Sequence, residues 1–112
     1  MEHQSWIAPA YDRVLEWNMT LVEMTEDFAM QLAKNGLRVH RSIQTNYAFN
    51  MIATSGDGRK FAQVLSCDVR EEPGWLEKIS IYRLDDSGKP TGEAPVVCDW
   101  DNVGDEVAKI LA

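Results

Sequence analysis

Val14, Trp17, Leu21, Met24, Phe28 and Leu32 recur at three- and four-residue steps between Pro9 and Gly36, while Glu16, Glu23, Glu26 and Asp27 fall mostly off that stripe. A helix turns every 3.6 residues, so this spacing predicts a long N-terminal helix with one apolar face laid on a core. Its end is well marked. Gly36 suits the left-handed residue that follows a helix, and Leu37 can then fold back onto Leu32 as the apolar contact of a Schellman ending. Its start is less sharp, because Thr20 and Glu23 form an internal capping box and allow a break near Asn18.

The period then changes from 3.6 to 2. Two alternating runs, Tyr47 to Thr54 and Lys60 to Arg70, flank Gly56-Asp57-Gly58 and predict a β-hairpin. Two loop lengths compete. A two-residue Asp57-Gly58 turn sets Met51 against Val64 and Phe49 against Ser66, and leaves Phe61, Leu65, Cys67 and Val69 on the opposite face. A three-residue loop with Gly58 left-handed sets Phe49 against Leu65, Tyr47 against Cys67 and Ala53 against Phe61. The second choice gathers every large residue on one face, so Tyr47, Phe49, Met51, Phe61, Leu65, Cys67 and Val69 are expected under the long helix.

Glu71-Glu72-Pro73-Gly74 has the Pro-then-Gly order of a type II turn and leads into a third strand, Leu76 to Leu84. Asp85-Asp86-Ser87-Gly88 turns the chain again. Ala94 to Trp100 is the fourth strand, and Pro95 argues for an edge position or a late beginning. Val103, Val107, Ile110 and Leu111 then share one face of a short C-terminal helix that Asp101 or Asn102 can cap. The expectation is an α+β fold: a long N-terminal helix packed on a four-stranded antiparallel meander, then a short C-terminal helix, forming one domain over residues 1–112. One sheet face is covered, and the other is solvated or used to bind.

Composition narrows the function. The longest apolar stretches fall far short of the roughly 20 residues that cross a bilayer, and Met1-Glu2-His3-Gln4 lacks the basic-then-apolar start of a secretory signal. A soluble, cytoplasmic protein is expected. The net charge of -7 is unevenly placed: residues 1–27 carry six acids and one base, residues 28–67 one acid and five bases, and residues 68–112 eleven acids and five bases. A duplex binder displaces phosphate counterions with clustered basic side chains, so Arg38, Arg41, Arg59 and Lys60 scattered in an acidic chain argue against nucleic acid, and equally against an anionic membrane. A protein partner with a basic surface is the complement of this charge.

Candidate chemistry is sparse. Asp99, Asp101, Asp105 and Glu106 begin like a calcium loop, but Val103 and Ile110 stand where the fifth and twelfth ligands belong. The plainer reading of these carboxylates is that they cap free amides and complement the positive end of a helix dipole. No metal or cofactor is expected. His40, read as lying just before the first strand, can approach Cys67 in space, yet a thiol on the buried face is inert. Cys67 and Cys98 are read as buried free cysteines, and no enzymatic activity is expected.

For recognition, Trp75 stands out: it follows the Pro-Gly turn beside Glu71 and Glu72, and is hard to place in the core pattern. Its structural alternative is to fold back over the sheet edge. Trp17 and Trp100 lie on apolar faces and belong to the core. The sequence therefore predicts a non-enzymatic interaction module of the inhibitor, immunity, chaperone or adaptor type, with Glu71, Glu72, Trp75, Asp99, Asp101 and Asp105 contacting the partner. A homodimer paired through a sheet edge is a related expectation. The alternative is a small-molecule-binding or enzymatic domain with a pocket between helix and curved sheet, where Ile79 and Ile81 line either that pocket or an ordinary core.

Overall fold

The computed structural model describes residues 21–44, 48–66 and 78–112. An α-helix occupies residues 21–34 (α1), and five strands follow: β1 (Arg38–Gln44), β2 (Phe49–Thr54), β3 (Phe61–Leu65), β4 (Ile79–Arg83) and β5 (Val96–Cys98). A single 3-10 turn, Trp100–Asn102, leads into the C-terminal helix α2 (Val103–Leu111). All neighbouring strands pair antiparallel, in the order β1-β2-β3-β4-β5. Among the described residues no helix is long and apolar enough to cross a membrane.

The apolar stripe of α1 does what its spacing predicts: Leu21, Met24, Phe28 and Leu32 are buried, the last three completely. The part of the predicted helix before residue 21, with Val14 and Trp17, lies outside the described residues, so the helix is not shown to be long. Its end is a Schellman motif. Gly36 has φ 71°, the Leu37 amide donates to the Leu32 carbonyl at 2.9 Å, and the Gly36 amide donates to the Ala33 carbonyl at 3.1 Å.

Two expectations about the sheet are corrected. Among the described residues it has five strands, because Arg38–Gln44 forms an additional first strand and places His40 within the sheet. Period-2 alternation is broken there: the pairing jumps from Val39↔Ala53 to Arg41↔Ile52, leaving His40 as a bulge. Val39 and Ile43 consequently fall on opposite faces, and residues 38–43 are all exposed, so no burial pattern announces the strand.

The hairpin register is the second correction. The pairs are Met51↔Val64, Ala53↔Ala62 and Thr54↔Phe61, one residue away from the expected Phe49–Leu65 alignment. Gly58 is left-handed at φ 74°, as predicted, and its amide closes the turn on the Ser55 carbonyl at 2.9 Å, but Arg59 also joins the loop. Ser55 makes this four-residue loop stable: its hydroxyl accepts the amides of Arg59 (3.3 Å) and Lys60 (3.1 Å) and donates to Asp57 (2.6 Å).

A one-residue slip exchanges the faces of a strand. Phe49, Met51, Ala53, Ala62 and Val64 therefore join α1 in the core, while Phe61 and Leu65 are half-buried on the opposite face. Tyr47, Cys67 and Val69 lie outside the described residues. The register on which the burial of Cys67 was expected is not the one that forms.

Phe28 meets the Phe49 ring edge-on at 5.1 Å, placing α1 over β2. Val103, Val107 and Leu111 of α2 join the same cluster beside Ile79 and Ile81. Each such side chain contributes about 1.5–3 kcal/mol of burial free energy. Ile79 and Ile81 are buried in this core, and Ile81 also lines a pocket with Arg83, Val96, Lys109 and Ile110 between α2 and the β4–β5 end of the sheet. Strand β5 begins late, directly after Pro95, and ends the sheet opposite β1, in keeping with the edge position expected of it.

Candidate functional site

The seam between α1 and α2 carries the densest polar network in the described residues, and Gln31 is its centre. Its side-chain amide donates to Asp27 Oδ2 and to the Trp100 carbonyl, both at 2.9 Å, and its Oε1 accepts the Gly104 amide at 2.8 Å. The last bond corrects the capping expectation. Neither Asp101 nor Asn102 caps α2: Asn102, at the N-cap position, makes no side-chain cap bond, and one of the free amides of the first turn is met by Gln31 from the other helix. The seam is close because residue 104 has no side chain; a Cβ there would stand 2.7 Å from Gln31 Cβ and 2.8 Å from its carbonyl oxygen.

Trp100 completes the network. Its indole Nε1 donates to Asp27 Oδ2 at 2.5 Å while its ring meets Phe28 edge-on at 5.4 Å. Asp99, Asp101 and Asp105 surround this junction, all exposed. Asp99 accepts a hydrogen bond from Asn102 Nδ2, and Asp105 accepts one from Asn35 Nδ2 at 3.4 Å. Among the described residues, no Lys or Arg forms an ion pair with any of the three; the nearby pair of Lys109 with Glu106 closes within α2 at 3.2 Å. Glu23 and Glu26 add exposed carboxylates on α1. Three of the six predicted contact residues thus stand together on one acidic rim, while Glu71, Glu72 and Trp75 lie outside the described residues.

Among the described residues, no three His, Cys, Asp or Glu side chains converge as metal ligands. Cys98 is a free thiol, half-buried against Ile79. Burial pushes it up to about 11, and the carboxylates of Glu106 and Asp99 add to the shift, so it is a poor nucleophile near neutrality.

The sequence did not single out a second charged feature, the outer edge of β1. Arg38 and Arg41 stand on this exposed strand, and no acid lies in β1 or β2. Arg59, on the hairpin loop, extends the basic surface, since an Arg38 guanidinium nitrogen lies only 3.5 Å from where a Cβ on Gly58 would sit. The charge count held the signal: residues 28–67 contain five bases and one acid. That acid, Asp57, is engaged by the Ser55 hydroxyl and the Arg59 amide, which hold its carboxyl below the ordinary value of 3.8.

Compared with family models, with curated proteins and with solved structures, the chain matches none.

Proposed function

We propose that this protein is a non-enzymatic interaction module, of the inhibitor, immunity, chaperone or adaptor type, whose acidic rim binds a protein partner with a basic surface. The observation that carries this reading is the group of exposed carboxylates Asp99, Asp101 and Asp105, held at the α1–α2 junction with no basic side chain of the described residues paired to them. Fixed, unpaired charge raises the encounter rate with a complementary surface and suppresses unsuitable partners. The junction is braced by Gln31 and Trp100, so these carboxylates are presented from a rigid base. In this reading Glu71, Glu72 and Trp75 extend the contact, with Trp75 as its aromatic anchor.

The test is affinity capture from host lysate with the native protein and with the Asp99→Asn/Asp101→Asn/Asp105→Asn variant. The native protein is expected to retain a basic protein in stoichiometric amount, released as salt shortens the screening length. Equal retention by the triple variant overturns the assignment of the rim. Trp75→Ala is expected to weaken capture at an unchanged melting temperature; a lowered melting temperature instead makes Trp75 a core residue.

A further inference from the structure

From the exposed first strand we infer a second binding surface: the outer edge of β1 accepts an extended, acidic segment of a partner protein as a sixth strand. This inference rests on the interaction-module reading and names a separate surface for it. Strand β1 lies at the end of the five-strand order, and every residue from Arg38 to Ile43 is exposed. An edge strand offers a row of unpaired amides and carbonyls, which is how extended peptides are captured in β-augmentation.

The hydrogen-bond phase of the sheet identifies the groups on offer. Ser66 donates to the Phe49 carbonyl and Ser55 donates to the Lys60 carbonyl, so the odd residues of β2 point their backbone groups toward β3. Asn50, Ile52 and Thr54 therefore bond β1, through their partners Ile43, Arg41 and Arg38. Ser42, paired across from Met51, is left with its amide and carbonyl directed outward.

Charge selects the occupant. An incoming strand meets Arg38 and Arg41 along β1 and Arg59 at the loop beside it. A second copy is a poor occupant: antiparallel self-pairing about Ser42, whose groups face outward, sets Arg41 of one copy diagonal to Arg41 of the other and brings the basic residues of both strands together. An acidic strand gains complementary pairs at the same positions.

The test uses two fluorescein-labelled nine-residue peptides that alternate Val or Thr with Glu in one and with Lys in the other, read by fluorescence anisotropy against the full-length protein. The Glu peptide is expected to bind at least tenfold more tightly than the Lys peptide. Arg41→Glu, and separately Ser42→Pro, which removes the outward amide together with the Ser42 hydroxyl, are expected to weaken it tenfold or more. Equal binding of the two peptides, or undiminished binding by a folded Ser42→Pro variant, overturns the inference. If that variant does not fold, amide hydrogen exchange on the native protein decides. Slowed exchange at Ser42 with bound Glu peptide supports the site, and slowing confined to other residues overturns it. The Asp99→Asn/Asp101→Asn/Asp105→Asn variant is expected to bind the peptide unchanged. Loss of the strand site thus leaves capture by the acidic rim standing, and the reverse.

Discussion

The indole Nε1 of Trp100 lies 2.5 Å from Asp27 Oδ2, joining the turn before α2 to the middle of α1 across 73 positions of sequence. The same oxygen accepts the Gln31 side-chain amide, so one carboxylate fixes both an aromatic ring and the residue that meets the first turn of α2. Hydrogen bonds to a charged acceptor are among the stronger ones a protein makes.

Trp100→Phe keeps the edge contact with Phe28 but removes the donor, leaving Asp27 with a lost partner. A destabilisation of about 2 kcal/mol is expected, the range for a hydrogen bond to a charged group. Urea denaturation followed by circular dichroism measures it; an unchanged midpoint would mean that water replaces the indole without cost.

Gly104→Ala sets two effects against each other. Alanine favours a helix interior over glycine by about 1 kcal/mol. Its Cβ, however, falls 2.7–2.9 Å from Gln31 Cβ and main-chain atoms, which cannot rotate away. Overpacking of this kind costs about 1–3 kcal/mol. The clash is expected to win, lowering the urea midpoint. A stabilised Gly104→Ala protein would show that α2 shifts freely on α1.

How much of this was legible follows from which residues act locally. The α1 stripe, the Gly36 ending and the face of α2 rest on contacts within a few turns, and the sequence shows them. The hairpin is legible in its position and in its left-handed Gly58, but not in its loop length or register, where the Ser55 hydroxyl binds two amides of a four-residue loop. The rule of gathering large residues on one face favoured Phe61 and Leu65, whereas small Ala62 and branched Val64 are what fit beneath α1. Strand β1 carries no alternation because His40 bulges and both faces are exposed. For the acidic rim, Asp99, Asp101 and Asp105 were visible in sequence; the Gln31 and Trp100 brace was not, since nothing in the spacing of residues 27, 31, 100 and 104 brings them together.

The Ser55 loop gives a pH signature. Asp57 is held below its ordinary 3.8 first by the Ser55 hydroxyl and then by the Arg59 amide. A depressed carboxyl stabilises the fold above its unfolded value, and that contribution is lost as pH falls through the lower folded value. Ser55→Ala is expected to lower the melting temperature at pH 6, with the difference from the native protein narrowing below pH 3. A difference independent of pH would assign the effect to the two amide bonds alone.

Cys98 has the opposite sign. Burial, then Glu106 and Asp99, raise its thiol to about 11, above the ordinary 9.0, so between these values the folded chain holds a proton that the unfolded chain releases. Stability contributed this way is fully present below pH 9 and declines as pH rises toward 11. In a Cys67→Ala background, iodoacetamide at pH 8 is expected to label Cys98 at least tenfold more slowly in the folded protein than in urea, because the thiolate is the nucleophile. Replacing Cys98 by Ala is expected to flatten the fall in melting temperature between pH 9 and 10.5 relative to the Cys67→Ala parent, a comparison that isolates the thiol. Equal slopes, or folded labelling as fast as unfolded, would place the thiol in open contact with solvent and remove the physical basis for calling it inert.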